Sequence, residues 1–155
     1  MFGKPKKFWL SLALPLAVGG LAALLSGGMG DFKNMQQPPL SPPGWVFPIV
    51  WTILYLLMGY SAYRVYSSEK PQAQINRALT LYGIQLALNF IWPIVFFGFH
   101  AYLLAFFVLI LLWIAIFLTM RAFAPLDETA SDLLIPYILW VTFAGYLNIG
   151  VYFLN

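Results

Sequence analysis

The residues most able to do chemistry here are neutral. Gln85, Asn89, Trp92 and Phe96 are spaced by four, three and four, which places them along one face of a helix. Trp51 and Tyr55 are four apart, and Pro136, Trp140, Ala144 and Asn148 repeat every four. Three helices would thus each present indole, phenol or amide groups on one side. Such a set suits a flat, mostly apolar ligand, with rings stacking on its face and amides meeting its edges. The same groups could instead pack the protein interior and bond one another.

Charged chemistry is scarce. Asp127, Glu128 and Asp132 cluster, but as a solvated turn and helix start, where acids suit the dipole. Asp31 and Glu69 are isolated. His100 is the single histidine, and one His without a second His or a nearby acid is a poor metal site. Cysteine is absent, which removes disulfides, thiolate metal sites and a Cys nucleophile. No phosphate-cradling loop and no nucleophile paired with a base is present. The basic residues form no stripe of the kind that binds nucleic acid.

The elements that carry these faces must live in lipid. The chain has 155 residues, 62% of them hydrophobic and 8% charged. A soluble domain averages about 25% charged residues, so most of this exterior faces hydrocarbon. Apolar runs long enough to span a bilayer cover about 8–25, 46–66, 79–98, 101–123 and 133–154. Lipid offers no partner for an open backbone, so each run must be a helix. The expected fold is an all-α integral membrane protein, one five-helix transmembrane bundle over 1–155. No ionisable residue lies mid-span, which argues against a proton relay or voltage sensor.

Between the first two spans, residues 26–45 hold Gly27, Gly28, Gly30, Pro38, Pro39, Pro42 and Pro43. This reads as an ordered non-helical loop, a lid or binding element rather than a helix. In the first span Ser11, Pro15, Gly19 and Ala23 form a small-residue face for close packing, and the span is read as retained rather than cleaved. Gly83 and Ala87 form a second such pair on another face of the third span, for a neighbouring helix or a second copy of the chain. Lys4, Lys6, Lys7, Arg64, Lys70, Arg77 and Arg121 fall on one side of five spans, and Lys33 on the other. The positive-inside rule then puts the N-terminus in the cytoplasm.

Three segments carry a family resemblance. They are Pro42-Pro43-Gly44-Trp45-Val46-Phe47-Pro48 continuing to Trp51, Tyr55 and Met58-Gly59; Gln85 to Trp92 with Phe96-Phe97; and Leu134-Ile135-Pro136-Tyr137-Ile138-Leu139-Trp140 with Ala144 and Leu147-Asn148. Their order and spacing closely resemble the tryptophan-rich sensory protein and translocator protein family, also called peripheral-type benzodiazepine receptors. The resemblance implies a homodimer, a pocket closed by the first loop, and, for bacterial relatives, the cytoplasmic membrane. It implies porphyrins, including protoporphyrin IX and haem, as ligands, along with benzodiazepine-site compounds and lipids. It calls for no obligatory cofactor. Pocket positions carried over are Phe32, Pro42, Pro43, Trp51, Tyr55, Asn89, Trp92, Phe96, Trp140 and Ala144, with the contact between protomers near Gly83 and Ala87.

Some positions depart from the family pattern. Leu40 stands where many relatives carry Trp, and Asp31-Phe32 replaces an aromatic pair. The sterol motif of animal relatives needs a basic residue after a tyrosine near the last helix's end; Tyr152 is followed only by Phe153, Leu154 and Asn155. The leading function is a porphyrin-binding receptor, sensor or carrier in tetrapyrrole handling or stress response. The alternatives are light-dependent porphyrin degradation with Trp51 and Trp140 as oxidisable indoles, and a scaffold for lipid or partner proteins. No inverted repeat supports alternating-access transport.

Overall fold

The computed structural model describes residues 5–27 and 35–155, with nothing said of the Pro5 side chain. It contains helices α1 (Pro5–Leu25), α2 (Val46–Tyr66), α3 (Gln72–Pro93), α4 (Tyr102–Phe123), α5 (Glu128–Asp132) and α6 (Ile135–Leu154). A π-helical turn, Ile94–Gly98, extends α3. No strand occurs among the described residues. Five of these elements are long and apolar enough to cross a membrane, and the protein is an integral membrane helical bundle.

The third helix begins at Gln72, about two turns before the apolar run that starts at Leu79. Its opening turns carry Gln72, Gln74, Asn76 and Arg77, polar residues that a search for apolar length passes over. Gln72 Nε2 donates to Asn76 Oδ1 at 2.8 Å, the i,i+4 contact that supports a helix in water.

Apolar side chains do not decide which side of these helices faces in. Leu104, Phe107, Leu111 and Leu118 of α4 are exposed, while Ala105, Leu109, Leu112 and Ile116 are buried. Lipid accepts the first set as readily as the core accepts the second, so packing and polar contacts set the arrangement. Small and polar residues do this work on the buried faces: Ser61, Ala62, Ala78, Gln85, Asn89, Ala115, Thr119, Ala144 and Asn148.

α1 packs on α2, with a further edge against α3. The closest approach is at Gly59, where an added Cβ would strike the Ser11 carbonyl oxygen and lie 2.7 Å from Leu12 Cα. Pro15, within α1, lacks the N–H that would meet that Ser11 carbonyl. The two helix irregularities therefore coincide at one contact. The small-residue face of α1 divides along its length. The Ser11 backbone meets α2, while Gly19 and Ala23 line a cavity.

The acidic cluster is structural. Arg64 Nε lies 3.1 Å from both Asp127 oxygens, and Arg64 Nη1 donates to Tyr60 OH at 3.2 Å. Asp127 Oδ1 also accepts from the Ala130 N–H at 2.9 Å, capping α5. Ser61 Oγ donates to the Ala130 carbonyl at 2.6 Å, so α2 holds α5 by two contacts.

At the other end, the second half of the first loop is fastened to α6. Gln36 N donates to Asn155 Oδ1 at 3.3 Å, Asn155 Nδ2 donates to Gln36 O at 2.9 Å, and Tyr146 OH donates to Pro39 O at 2.6 Å. Pro38 lies against Gly150, a site that a Cβ would fill. Leu40 takes φ of 71° and is 84% exposed, so its side chain points away from the bundle.

Replacing Gly59 by Ala should destabilise the fold by about 1–3 kcal/mol, because the new methyl meets backbone on the facing helix. Gly83→Ala, with open space around its Cβ, should leave stability unchanged or slightly raised. Unfolding in mixed micelles with increasing denaturing detergent separates the two.

Candidate functional site

A half-enclosed cavity of about 440 Å³ lies between α1, α2 and α3. Its size falls in the range of small-molecule sites, roughly 300–1,000 Å³. α2 supplies Pro48, Trp51, Thr52 and Tyr55; α3 and its extension supply Asn89, Trp92, Pro93 and Phe97; α1 supplies Leu16, Gly19, Gly20, Ala23 and Ser26. These are the C-terminal parts of α1 and α3 and the N-terminal part of α2, so the cavity sits toward the end of the bundle that carries the first loop.

Its walls are aromatic. Trp51 stacks on Tyr55 with centroids 5.6 Å apart and planes at 30°. Trp92 stacks on Phe96 at 5.1 Å and 27°. The Tyr55 ring lies against Gly19, where an added Cβ would overlap ring carbons. Only glycine there lets α1 close over the phenol.

Behind the wall runs a chain of polar bonds. Tyr55 OH donates to Asn89 Oδ1 at 3.1 Å, Asn89 Nδ2 donates to Tyr137 OH at 2.7 Å, and Tyr137 OH donates to Gln85 Oε1 at 2.7 Å. Gln85 Nε2 is buried without a partner. A second set ties Trp92 Nε1 to Asn148 Oδ1 at 2.9 Å, and Asn148 Nδ2 to the Tyr102 carbonyl at 2.8 Å.

The structure brings Trp51, Tyr55, Asn89 and Trp92 together on the cavity. It places Phe96, Trp140 and Ala144 behind them, around a void of about 20 Å³ that Trp51 and Trp92 share. Trp140 also borders a shallow outer groove of about 390 Å³ with Val50, Ile53, Pro136, Leu139 and Phe143. Its indole N–H is buried without a partner. Pro42 is half-buried and Pro43 exposed, and neither lines the cavity. Phe32 lies outside the described residues. Gly83 and Ala87 are exposed on α3, clear of the cavity. Among the described residues no group of three or more His, Asp or Glu gathers as a metal site.

Sequence reasoning missed the α1 wall and Tyr137. The four-residue spacing of Gly19 and Ala23 was a usable signal, but residues without functional groups read as packing. Tyr137 carried the better signal, a hydroxyl on an apolar helix that needed a partner.

A family model described as the TspO/MBR family matches residues 11–154. The tryptophan-rich protein TspO of Chlorobaculum tepidum is 39% identical over 148 residues, covering 94% of each chain. Protein CrtK of Rhodobacter capsulatus is 36% identical over 137 residues, 88% of this chain and 85% of its own. The human translocator protein is 35% identical over 130 residues, 81% of this chain and 75% of its own. The chain belongs to the TspO/MBR family.

Gly19→Ala should push the Tyr55 ring aside and break its bond to Asn89, at about 1–3 kcal/mol of stability. In a Tyr55→Ala background the same change should have almost no effect. A double-mutant cycle by thermal unfolding in detergent measures the coupling.

Proposed function

We propose that this TspO/MBR-family protein is a membrane receptor or carrier that holds a porphyrin, such as protoporphyrin IX or haem, in the α1–α2–α3 cavity. The observation that carries the reading is the half-enclosed cavity walled by the Trp51–Tyr55 stack and Trp92, with Asn89 as its amide. Among the described residues no charged side chain lines it. A flat ring system gains from stacking there, and its acidic substituents are better left at the mouth, since a buried carboxylate without a cation is costly. The same wall would take benzodiazepine-site compounds, and lipid would surround the rest. The ligand is cargo or signal rather than a required cofactor.

Relatives named tryptophan-rich sensory protein and translocator protein support a role in sensing or moving such a ligand. Light-driven degradation through Trp51 and Trp140 has less support. Trp51 lines the cavity, whereas Trp140 stands behind it around the inner void.

Lys6, Lys7, Arg64, Lys70, Arg77 and Arg121 lie at the end of the bundle away from the cavity. This supports an N-terminus in the cytoplasm, in a bacterial cytoplasmic membrane, with the cavity toward the opposite face. Exposed Gly83 and Ala87 support a homodimer packed on α3.

Titration with protoporphyrin IX in the dark, followed by Trp fluorescence, should show saturable binding in the roughly micromolar range. Trp51→Phe should weaken it about three- to tenfold, on the scale of one aromatic stacking contact, and Trp140→Phe should change it little. Linear quenching identical in all three proteins would mean partitioning into micelles and remove this reading. Orientation is checked separately, because the chain has no cysteine. A lone Cys at Lys70 should resist an impermeant maleimide added to intact cells and react after lysis.

A further inference from the structure

The hydroxyls on the cavity wall all donate into the protein. Ser26 Oγ donates to the Ala23 carbonyl at 3.1 Å and Thr52 Oγ1 to the Pro48 carbonyl at 2.7 Å, each along its own helix. Tyr55 OH donates to Asn89 Oδ1 at 3.1 Å. A hydroxyl has one proton, so what these three groups offer the cavity is lone pairs.

The direction of the Tyr55 bond is set from beneath the wall. Tyr137 gives its proton to Gln85 Oε1, so its oxygen can only accept from Asn89 Nδ2. The Asn89 amide therefore turns its oxygen toward Tyr55, and Tyr55 must be the donor. Gln85 and Tyr137 are each no more than 1% exposed and do not line the cavity. Pro93 adds to the same side, because it lacks the N–H that would meet the Asn89 main-chain carbonyl. Of the two lining indoles, Trp92 already donates to Asn148. The Trp51 N–H is the one lining indole donor without a partner among the described residues.

We infer that the cavity recognises a hydrogen-bond donor on its ligand, and that Tyr137 and Gln85 are the positioning residues that set this preference. The inference rests on the cavity being the ligand site. Among flat apolar molecules it favours those with an N–H or O–H at the buried edge. A carbonyl or carboxylate turned to Tyr55 meets a lone pair and is disfavoured, so an acidic ring enters apolar edge first and keeps its acid at the mouth. If Gln85 Nε2 were the donor to Tyr137, every bond in the chain would reverse and the Tyr55 proton would face the cavity. The two directions predict opposite ligands.

Three tricycles of matched shape separate the cases: carbazole carries an N–H, dibenzofuran an ether oxygen, fluorene a methylene. Their dissociation constants are measured by calorimetry in one detergent for wild type, Tyr55→Phe and Tyr137→Phe, together with competition by protoporphyrin IX. Wild type should bind carbazole about three- to tenfold more tightly than dibenzofuran, the worth of one neutral hydrogen bond. Tyr55→Phe should abolish the preference. Tyr137→Phe leaves the wall untouched but frees the Asn89 amide to turn, and should reduce or reverse it. If Tyr137→Phe does not fold, Gln85→Met at similar volume removes the acceptor of the Tyr137 proton, frees Tyr137 to donate to Asn89 instead, and should act likewise. Equal binding of all three tricycles by wild type, with protoporphyrin competing, overturns the inference and leaves the cavity reading standing. Tighter binding of dibenzofuran overturns it by showing the chain running the other way. Binding of none, with no response to protoporphyrin, removes the cavity reading and this inference with it.

Discussion

An amide in hydrocarbon must find another polar group inside the protein, because neither lipid nor a neighbouring leucine can meet it. This bundle contains three such amides on its buried faces, Gln85, Asn89 and Asn148, and their bonds decide which helices are neighbours. Tyr55, Asn89, Tyr137 and Gln85 join α2, α3 and α6. Trp92, Asn148 and the Tyr102 carbonyl join α3, α6 and the start of α4. Each such bond is worth only about 0.6 kcal/mol on average and up to about 1.7 in a membrane. Their value lies in direction, since they fix rotation about each helix axis where apolar packing alone would not.

α1 stands outside this network. Among the described residues its side-chain links to other helices are Lys7 Nζ to Tyr66 OH at 2.7 Å and the Phe8 ring against Tyr60 and Tyr63. All of them lie near its first turns. Farther along, contact depends on shape, with Pro15 and Gly59 allowing close approach and Gly19 receiving the Tyr55 ring. Only 11% of the apolar window of α1 is buried, against 28–39% for the other spans. The cavity lies where this weakly held helix leaves the bonded group. A hollow of that size persists because the wall behind it is fixed by hydrogen bonds and cannot move forward to fill it.

Much of this was legible in spacing. Helical periodicity brought Trp51 with Tyr55, and Asn89 with Trp92, and these four meet at the cavity. Periodicity gives a face and not a depth, however, which is why Trp140 and Ala144 read as equal members of the site when they lie one layer behind it. Their helix supplies the second row, and only the packing of α2 on α3 determines that. Gly19, Gly20 and Ala23 carry no chemistry, so nothing in their type distinguishes a wall from a packing seam. The early start of α3 was hidden for another reason. Its first turns stand among polar groups and obey the rules of a soluble helix, while the spans obey those of lipid.

The loop and the cavity are coupled through opposite sides of the bundle. Residues 36–39 are tied to α6 through Asn155 and Tyr146, and Pro38 is seated on Gly150. From there the chain enters α2, whose first turns carry Pro48, Trp51 and Thr52 to the cavity. The start of α2 is therefore held from the α6 side by the loop and from within by the Tyr55–Asn89 bond. α1, on the facing side, has neither restraint along its cavity half. Any change in the width of the cavity should come from α1 moving against a stationary α2 and α3. Motion of this half, hinged near the Lys7–Tyr66 contact at its start, breaks no interhelical hydrogen bond among those described, whereas moving α2 or α3 would break several in a medium that offers no replacement.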